Sequence, residues 1–357
     1  MRDDVEAIKS RFRRGLLIWN KKHNKRIMPW KGEKDPYRIW LSEIILQQTR
    51  VEQGLKYYES FILTFPTVKE LANAPSQKVF KLWEGLGYYS RCKNLITSAQ
   101  YISEVLGGKF PNDYDSILAL KGVGAYTASA IASFAFDLPH AVLDGNVFRV
   151  LSRAFGIETP IDIPEGRKLF NDLAQSILPP DKSALYNQAI MDFGATICKP
   201  QPDCAACFFK ENCNAFKESK QLLLPVKSKR LKVSNRWFNY IVFRSNDHYA
   251  IRERTTRDVW QSLFEFHLVE TDKKPNKRQV QLQLEQGFNF NQFKYTITGD
   301  PFSYSQRLSH QLIHFQIYLA EINDLYPFQN FRWVPREELK NYPFPKTLLQ
   351  FIKEALC

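Results

Sequence analysis

Leu120–Lys121–Gly122–Val123–Gly124–Ala125–Tyr126–Thr127 sets a G-x-G turn between two stretches of helical spacing, 116–120 and 126–136. Glycines permit a tight turn, and the helix that follows opens with backbone N–H groups lacking intrahelical partners. Such a turn can hold a phosphate through its main chain whatever the base sequence. An ordinary helix–turn–helix with glycine beyond the first helix has the same local pattern, so the turn alone leaves both readings open. Outward from it, Pro36 opens an apolar segment at helical spacing that breaks at Pro66. The same period runs through 76–84, 90–105, 163–178 and 186–193, with the loop GLGYY between the first two. No strong strand alternation interrupts residues 1–218, which are expected to be all-α.

The character changes near residue 219. Residues 222–236, LLLPVKSKRLKVSNR, carry five basic residues and a proline without a clear apolar face, the mark of a linker. Beyond them WFNYIVFRS, HYAIRER, LFEFHLVE, KYTITG and HFQIYLAEI are short, aromatic and β-branched runs parted by polar turns. A helical segment is expected after Pro335, so this half reads as α+β. The 357 residues suit two domains, each able to bury its own core. A net charge of +13 and a sequence pI near 9.3, with abundant aromatics, point to a polyanionic partner, nucleic acid by default. No apolar run nears the roughly 20 residues of a membrane helix, and the charged N-terminus has no apolar core of a signal peptide. An intracellular, cytoplasmic protein is expected, at the nucleoid if bacterial, with no membrane partner.

Cys198, Cys204, Cys207 and Cys213 form C-x5-C-x2-C-x5-C within sixteen residues. A reducing compartment counts against disulfides. Zinc sites build from C-x2-C knuckles, often two, and only one is present, so spacing favours a metal and leaves zinc and an iron–sulfur cluster open. Asp144, in VLDGNV, reads locally as a turn former or helix N-cap. Glu43, in WLSEIILQQT, stands in an apolar helical stretch where solvation is not guaranteed.

LSEIILQQT, GLGYYSRCKNL, LKGVGAYTASAI, VLDGNVFRVLSR, NQAIMDFGATIC and the four cysteines follow one another as in the helix–hairpin–helix DNA glycosylases. Within these the chain resembles the adenine DNA glycosylases (MutY) over nearly its full length. Each motif alone is weak; six in order are jointly specific. The resemblance implies an all-α helix–hairpin–helix glycosylase domain over 1–218, a [4Fe–4S] loop at 198–213 on Cys198, Cys204, Cys207 and Cys213, a basic linker over 219–235 and an α+β Nudix-like domain over 236–357. The family commonly has six residues between the first two cysteines; here there are five.

The implied activity is monofunctional removal of adenine opposite 8-oxoguanine or guanine in double-stranded DNA, by a monomer, in base excision repair. The base must be flipped out of the stack to be reached. Glu43 would protonate adenine N7, and Asp144 would stabilise or trap an oxocarbenium-like sugar. Asn146 would position Asp144 and Tyr126 would support the sugar site. Trp30 would wall the adenine pocket and Gln188 would read the adenine edge. Gln48, Leu86 and Tyr88 would insert around the opposite base, while Gly122 and Gly124 grip the backbone. Ser309 and His310 would read 8-oxoguanine; here Leu308–Ser309–His310 replaces the family's Phe-Ser-His. In endonuclease III, a related glycosylase/lyase acting on oxidised pyrimidines, a lysine stands at the position of Tyr126. Tyrosine forms no Schiff base, and Lys121 lies on the other side of the turn. That lyase and a non-catalytic, iron–sulfur DNA-binding protein are the alternatives; Tyr126 with the second domain, and the Glu43–Asp144 pair, argue respectively against them. Without an acidic REUxEE-type cluster, nucleotide pyrophosphatase activity is not expected.

Overall fold

The computed structural model describes residues 2–228, 233–287 and 294–356. Of the linker expected at 219–235, residues 229–232 lie outside the described residues. The chain divides into two compact units, Met1–Ala72 with Thr97–Arg230, and Asn73–Ile96 with Leu231–Cys357. Residues 73–96, helical by period, thus pack with the C-terminal half. No helix among the described residues is long and apolar enough to cross a membrane.

The first unit is helical. Asp35 caps helix Pro36–Leu46, accepting from the Tyr37 amide at 2.9 Å, and Pro36 starts the helix where a missing N–H costs nothing. The apolar spacing predicts one segment from Pro36 to Pro66. The structure breaks it at the polar run Gln47–Arg50, and a second helix follows over Val51–Thr64. Gln48 takes a left-handed φ of 56° at this break. The core gathers Phe12, Leu16 and Trp19 of helix Arg2–His23, Val150 and Leu151 of helix Gly145–Phe155, and Tyr186, Ile190 and Phe193 of helix Ser183–Thr196. Each large apolar side chain so buried contributes roughly 1.5–3 kcal/mol. Gly122 turns the hairpin at φ 79°, which explains glycine there, and the Val123 amide donates to Leu120 O at 3.2 Å. Helix Ala125–Phe136 begins directly after Gly124.

In the second unit the strands are β1 (Ser234–Ser245), β2 (His248–Glu253), β3 (Phe264–Glu265), β4 (His267–Thr271), β5 (Tyr295–Arg307), β6 (Gln311–Ile322) and β7 (Arg332–Pro335). They form one sheet in the order β3-β2-β1-β6-β5, with β4 added to β1 and β7 to β2. β1 runs parallel to β6, with Phe238 opposite Phe315. Phe238 to Phe243 are six successive buried residues, so β1 is covered on both faces and shows no alternation. β5 runs past the expected KYTITG, through a bulge between Thr298 and Phe302, to Arg307. Helix Lys346–Phe351 follows Pro335, and helix Lys277–Gly287 is an element that periodicity did not disclose. Helix Ser76–Trp83 and its C-cap are tied to the end of this unit: Gln77 Nε2 donates to Asn341 O at 3.1 Å, and Phe344 N to Glu84 Oε1 at 3.1 Å.

Candidate active site

A cavity of about 870 Å³ opens in the helical unit. Its lining includes Glu43, Tyr126, Asp144, Asn146, Trp30, Gln188 and Gln48. Residues 30 to 188 of the sequence therefore contribute their candidate side chains to one hollow, at a size typical of small-molecule sites, roughly 300–1,000 Å³.

Glu43 comes from the middle of helix Pro36–Leu46 and is 7% exposed. Burial pushes its carboxyl up to about 7; a hydrogen bond from Tyr126 opposes this and the neighbouring Asp144 charge adds to it. No cation pairs with it among the described residues. At neutral pH a large fraction of Glu43 carries its proton. Tyr126, in the first turn after the hairpin, has its hydroxyl 3.6 Å from Met191 Sδ. Burial, then the Glu43 and Asp144 charges, raise its phenol well above the ordinary value, so it stays a hydroxyl.

Asp144 is the N-cap of helix Gly145–Phe155, accepting from the Val147 amide at 2.8 Å through Oδ1 and from Asn146 Nδ2 at 2.7 Å through Oδ2. Burial raises its carboxyl, while these two donors and the Arg149 charge favour the anion. Asn146 is itself held: Arg149 Nη2 donates to Asn146 Oδ1 at 2.8 Å and to Gly194 O at 2.7 Å, and Arg149 Nε to Cys198 O at 2.8 Å. Gly194 faces Asn146 so closely that a Cβ there would stand 2.7 Å from the Asn146 Cβ. One oxygen of the Asp144 carboxylate thus serves the helix and the other is steadied by Asn146.

Trp30 lies on the cavity wall, edge-on to Tyr58 at 5.4 Å between centroids. Gln188 donates through Nε2 to Asp192 Oδ1 at 3.0 Å. Sequence reasoning passed over Asp192, Arg26, Lys31 and Arg149. Asp192 has no exposed side-chain surface and pairs with Arg26 and Lys31, both at 2.9 Å. The available signal is an acid four residues beyond Gln188 in an apolar helix, on the same face; partners more than 150 residues away leave no local trace.

Leu86 and Tyr88 belong to the second unit. Gly85, Gly87 and Tyr88 all have positive φ, with Tyr88 at 49°. Tyr88 is exposed and its hydroxyl hydrogen-bonds Ser309 Oγ, whereas Leu86 is buried. Ser309 and His310 form the exposed tip of the β5–β6 hairpin, closed by Leu308 N donating to Gln311 O at 2.8 Å. His310 O accepts from Ser234 N at 3.0 Å. Two side chains assigned by sequence to the opposite base thus meet on one patch.

The cysteines lie in the helical unit, where Cys198, Cys204, Cys207 and Cys213 line one small cavity with Arg153 and Lys210. Arg153 Nη1 approaches Cys198 Sγ at 3.6 Å and donates to Lys199 O at 2.6 Å. The Phe209 amide donates to Cys207 Sγ at 3.4 Å. Burial pushes the Cys207 thiol up to about 12 and also raises Cys198 and Cys213. Four thiols converging on one cavity, with backbone N–H and cationic donors aimed at sulfur, fit a thiolate-bound metal group. Among the described residues no three His, Cys, Asp or Glu side chains gather closely enough to hold a single ion.

Residues 41–176 match the HhH-GPD superfamily base excision DNA repair protein model, and 239–354 match the NUDIX domain model. An adenine DNA glycosylase of Buchnera aphidicola (subspecies Acyrthosiphon pisum) is 34% identical over 307 residues, 85% of this chain and 84% of that relative. The chain belongs to the adenine DNA glycosylase family. The human adenine DNA glycosylase is 40% identical over 225 residues, 59% of this chain and 41% of its own length. A solved thermostable thymine-DNA glycosylase superposes at a TM-score of 0.56 with 28% identity, over 60% of this chain and 99% of its own. A trapped endonuclease III–DNA covalent intermediate, 21% identical at a TM-score of 0.52 over 59% of this chain and 98% of its own, shares the fold. An adenine DNA glycosylase with the helix–hairpin–helix fold and a C-terminal, β-rich Nudix-like domain accords with both the helical and the sheet unit.

Proposed function

We propose that this chain removes adenine paired with 8-oxoguanine or guanine from double-stranded DNA, as a monofunctional glycosylase. The observation that carries the reading is the pair of enclosed carboxyls in one cavity, Glu43 raised to about 7 and Asp144 steadied by two donors. A base cannot reach these groups while stacked in a duplex, so it is flipped into the cavity. Glu43 gives its proton to adenine N7, drawing electrons from the glycosidic bond and making the base a better leaving group. The C1′–N9 bond breaks, and the positive charge left on the sugar faces the Asp144 carboxylate. Asn146 and the Val147 amide keep that carboxylate aimed and favour its anion against the burial that raises it. Glu43, now ionised, accepts a proton from the water that adds to C1′. Tyr126 offers a hydroxyl beside both acids and no amine, so no Schiff base forms and the strand stays intact until alkali.

The opposite base is read by the patch of Tyr88, Ser309 and His310, supported by the hydrogen bond between Tyr88 and Ser309. The positive φ values at Gly122 and at Gln48 present backbone and amide for gripping the duplex. Cys198, Cys204, Cys207 and Cys213 would hold a [4Fe–4S] cluster; support comes from the four thiols that line one cavity and from family membership. The cluster would brace the loop from which Cys198 O receives Arg149. An absorbance band near 400 nm with iron analysis tests this separately.

The deciding experiment is single-turnover base release from duplexes with adenine opposite 8-oxoguanine, guanine or thymine, with and without alkali. Fast adenine loss opposite 8-oxoguanine, with strand breaks only after alkali, is expected. Tight binding with no release on any duplex would overturn the enzymatic reading, and breaks without alkali would overturn the monofunctional one. A Ser309→Ala/His310→Ala protein should lose much of its preference for 8-oxoguanine over guanine.

A further inference from the structure

Asp192 has no exposed side-chain surface, and all its hydrogen-bond capacity is used. Oδ1 accepts from Arg26 Nη1 at 2.9 Å and Gln188 Nε2 at 3.0 Å. Oδ2 accepts from Asn24 Nδ2 at 2.8 Å and Lys31 Nζ at 2.9 Å. A carboxylate accepts and does not donate, with about four lone-pair sites. Four donors therefore saturate it, and the Gln188 amide can join the set only through its NH2 group. The planar amide then turns its Oε1 away from Asp192. That oxygen takes no hydrogen bond among the described residues, and Gln188 lines the excision cavity.

From this arrangement we infer that Asp192 is a positioning residue for base selectivity: it fixes the Gln188 amide so that the cavity meets an acceptor and never a donor. The inference rests on the proposed excision of adenine from this cavity. Adenine carries an amine donor at C6, whereas guanine and hypoxanthine carry an oxygen acceptor there. An amide free to rotate would accommodate either group, because its two ends are nearly the same shape. An amide anchored on Asp192 accepts from the adenine amine and faces an O6 with another lone pair. Rejection of a 6-oxopurine is thereby set by a residue that never touches the base. Arg26 and Lys31 neutralise Asp192, so the anchor does not place a bare negative charge beneath the cavity.

The test compares single-turnover release of adenine and of hypoxanthine from otherwise identical duplexes, each opposite guanine. Asp192→Asn supplies an NH2 that the Gln188 carbonyl can accept, allowing the amide to reverse. The adenine-to-hypoxanthine rate ratio should fall about tenfold, the worth of one hydrogen bond. A merely structural loss would slow both substrates together and leave the ratio in place, which would overturn the inference. In a Gln188→Met background the Asp192→Asn change should no longer move the ratio; a full effect there would also overturn it. If the Asp192 variants fail to accumulate, Gln188→Met alone decides, because wild-type selectivity without the amide would remove the acceptor from the account. A wild-type protein that releases no adenine would sink the parent reading and needs no variant to reveal it.

Discussion

Two acids of this protein are buried almost equally in opposite electrostatic surroundings. Glu43 in the helical unit is 7% exposed, and Glu265 in the sheet unit is 2% exposed. Glu265 accepts from Arg254 at 2.8 Å and Arg252 at 3.0 Å, with the Tyr240 hydroxyl at 3.3 Å. The same Arg254 holds Asp258 at 2.6 Å, and the Arg236 and Arg254 guanidiniums bring that carboxyl down to about 2. Glu43 has a phenol and a second carboxyl for neighbours, and no cation among the described residues. Burial by itself does not make a carboxyl reactive. A buried anion matched by guanidinium is a structural tie; a buried acid left without a cation keeps its proton near neutrality and can deliver it.

The contrast can be broken most directly at Glu43. Glu43→Gln keeps the shape and removes the titrating proton, so single-turnover adenine release should fall by about 10³-fold or more while DNA binding persists. Near-wild-type release would end the comparison. In the wild type, release should decline as pH rises through about 7, because only the protonated acid acts. At Glu265 the opposite is expected: Arg254→Met leaves this buried carboxylate with only the part-exposed Arg252 and should cost about 1.5–3 kcal/mol of unfolding free energy. Denaturant titration checks it, and a cost below about 1 kcal/mol would show that the sheet network is held by something else.

A third measurement sets the two acids on one scale. The raised native value means folded Glu43 binds more protons than the unfolded chain between the ordinary glutamate range and about 7. Stability is therefore highest below that window and is lost as pH rises through it, by up to about 3 kcal/mol. Glu43→Gln should remove this slope, so that the variant melts above the wild type at pH 8 and not at pH 4. Identical pH–stability curves for the two proteins would refute the shift. The smallest effect tests the support of the second carboxyl. Gly194→Ala must displace Asn146, since the added methyl meets backbone as well as side-chain atoms there. Misplacing the Asp144 carboxylate should slow release by about 10- to 100-fold, with little loss of folded protein by circular dichroism; an unchanged rate would free Asn146 from its positioning role.

Much of the architecture was legible from local pattern. The helical period over 1–218, the short aromatic runs after 236 and the glycine hairpin all depend on residues within a few positions of one another, and each forms an element of the expected kind. The break at Gln47–Arg50 escaped because the apolar spacing resumes at Val51 in nearly the same phase. β5 escaped beyond Gly299 because a bulge interrupts its alternation. That residues 73–96 pack with the C-terminal half has no signature in their own sequence, since the partners at 341–344 lie about 260 residues away.

For the site, the chain itself determined the residue types: a glutamate inside an apolar helix, an aspartate before a helix, a tyrosine after the hairpin and four clustered cysteines. Those are one-dimensional facts, fixed by spacing and chemistry. Only the tertiary structure decided that Glu43, Tyr126 and Asp144 share a hollow, that one buried glutamate lacks a cation while another has two, and that Asp192 turns the Gln188 amide. Each of those depends on distance and on exclusion of water, which side chains far apart in the chain create only when they pack.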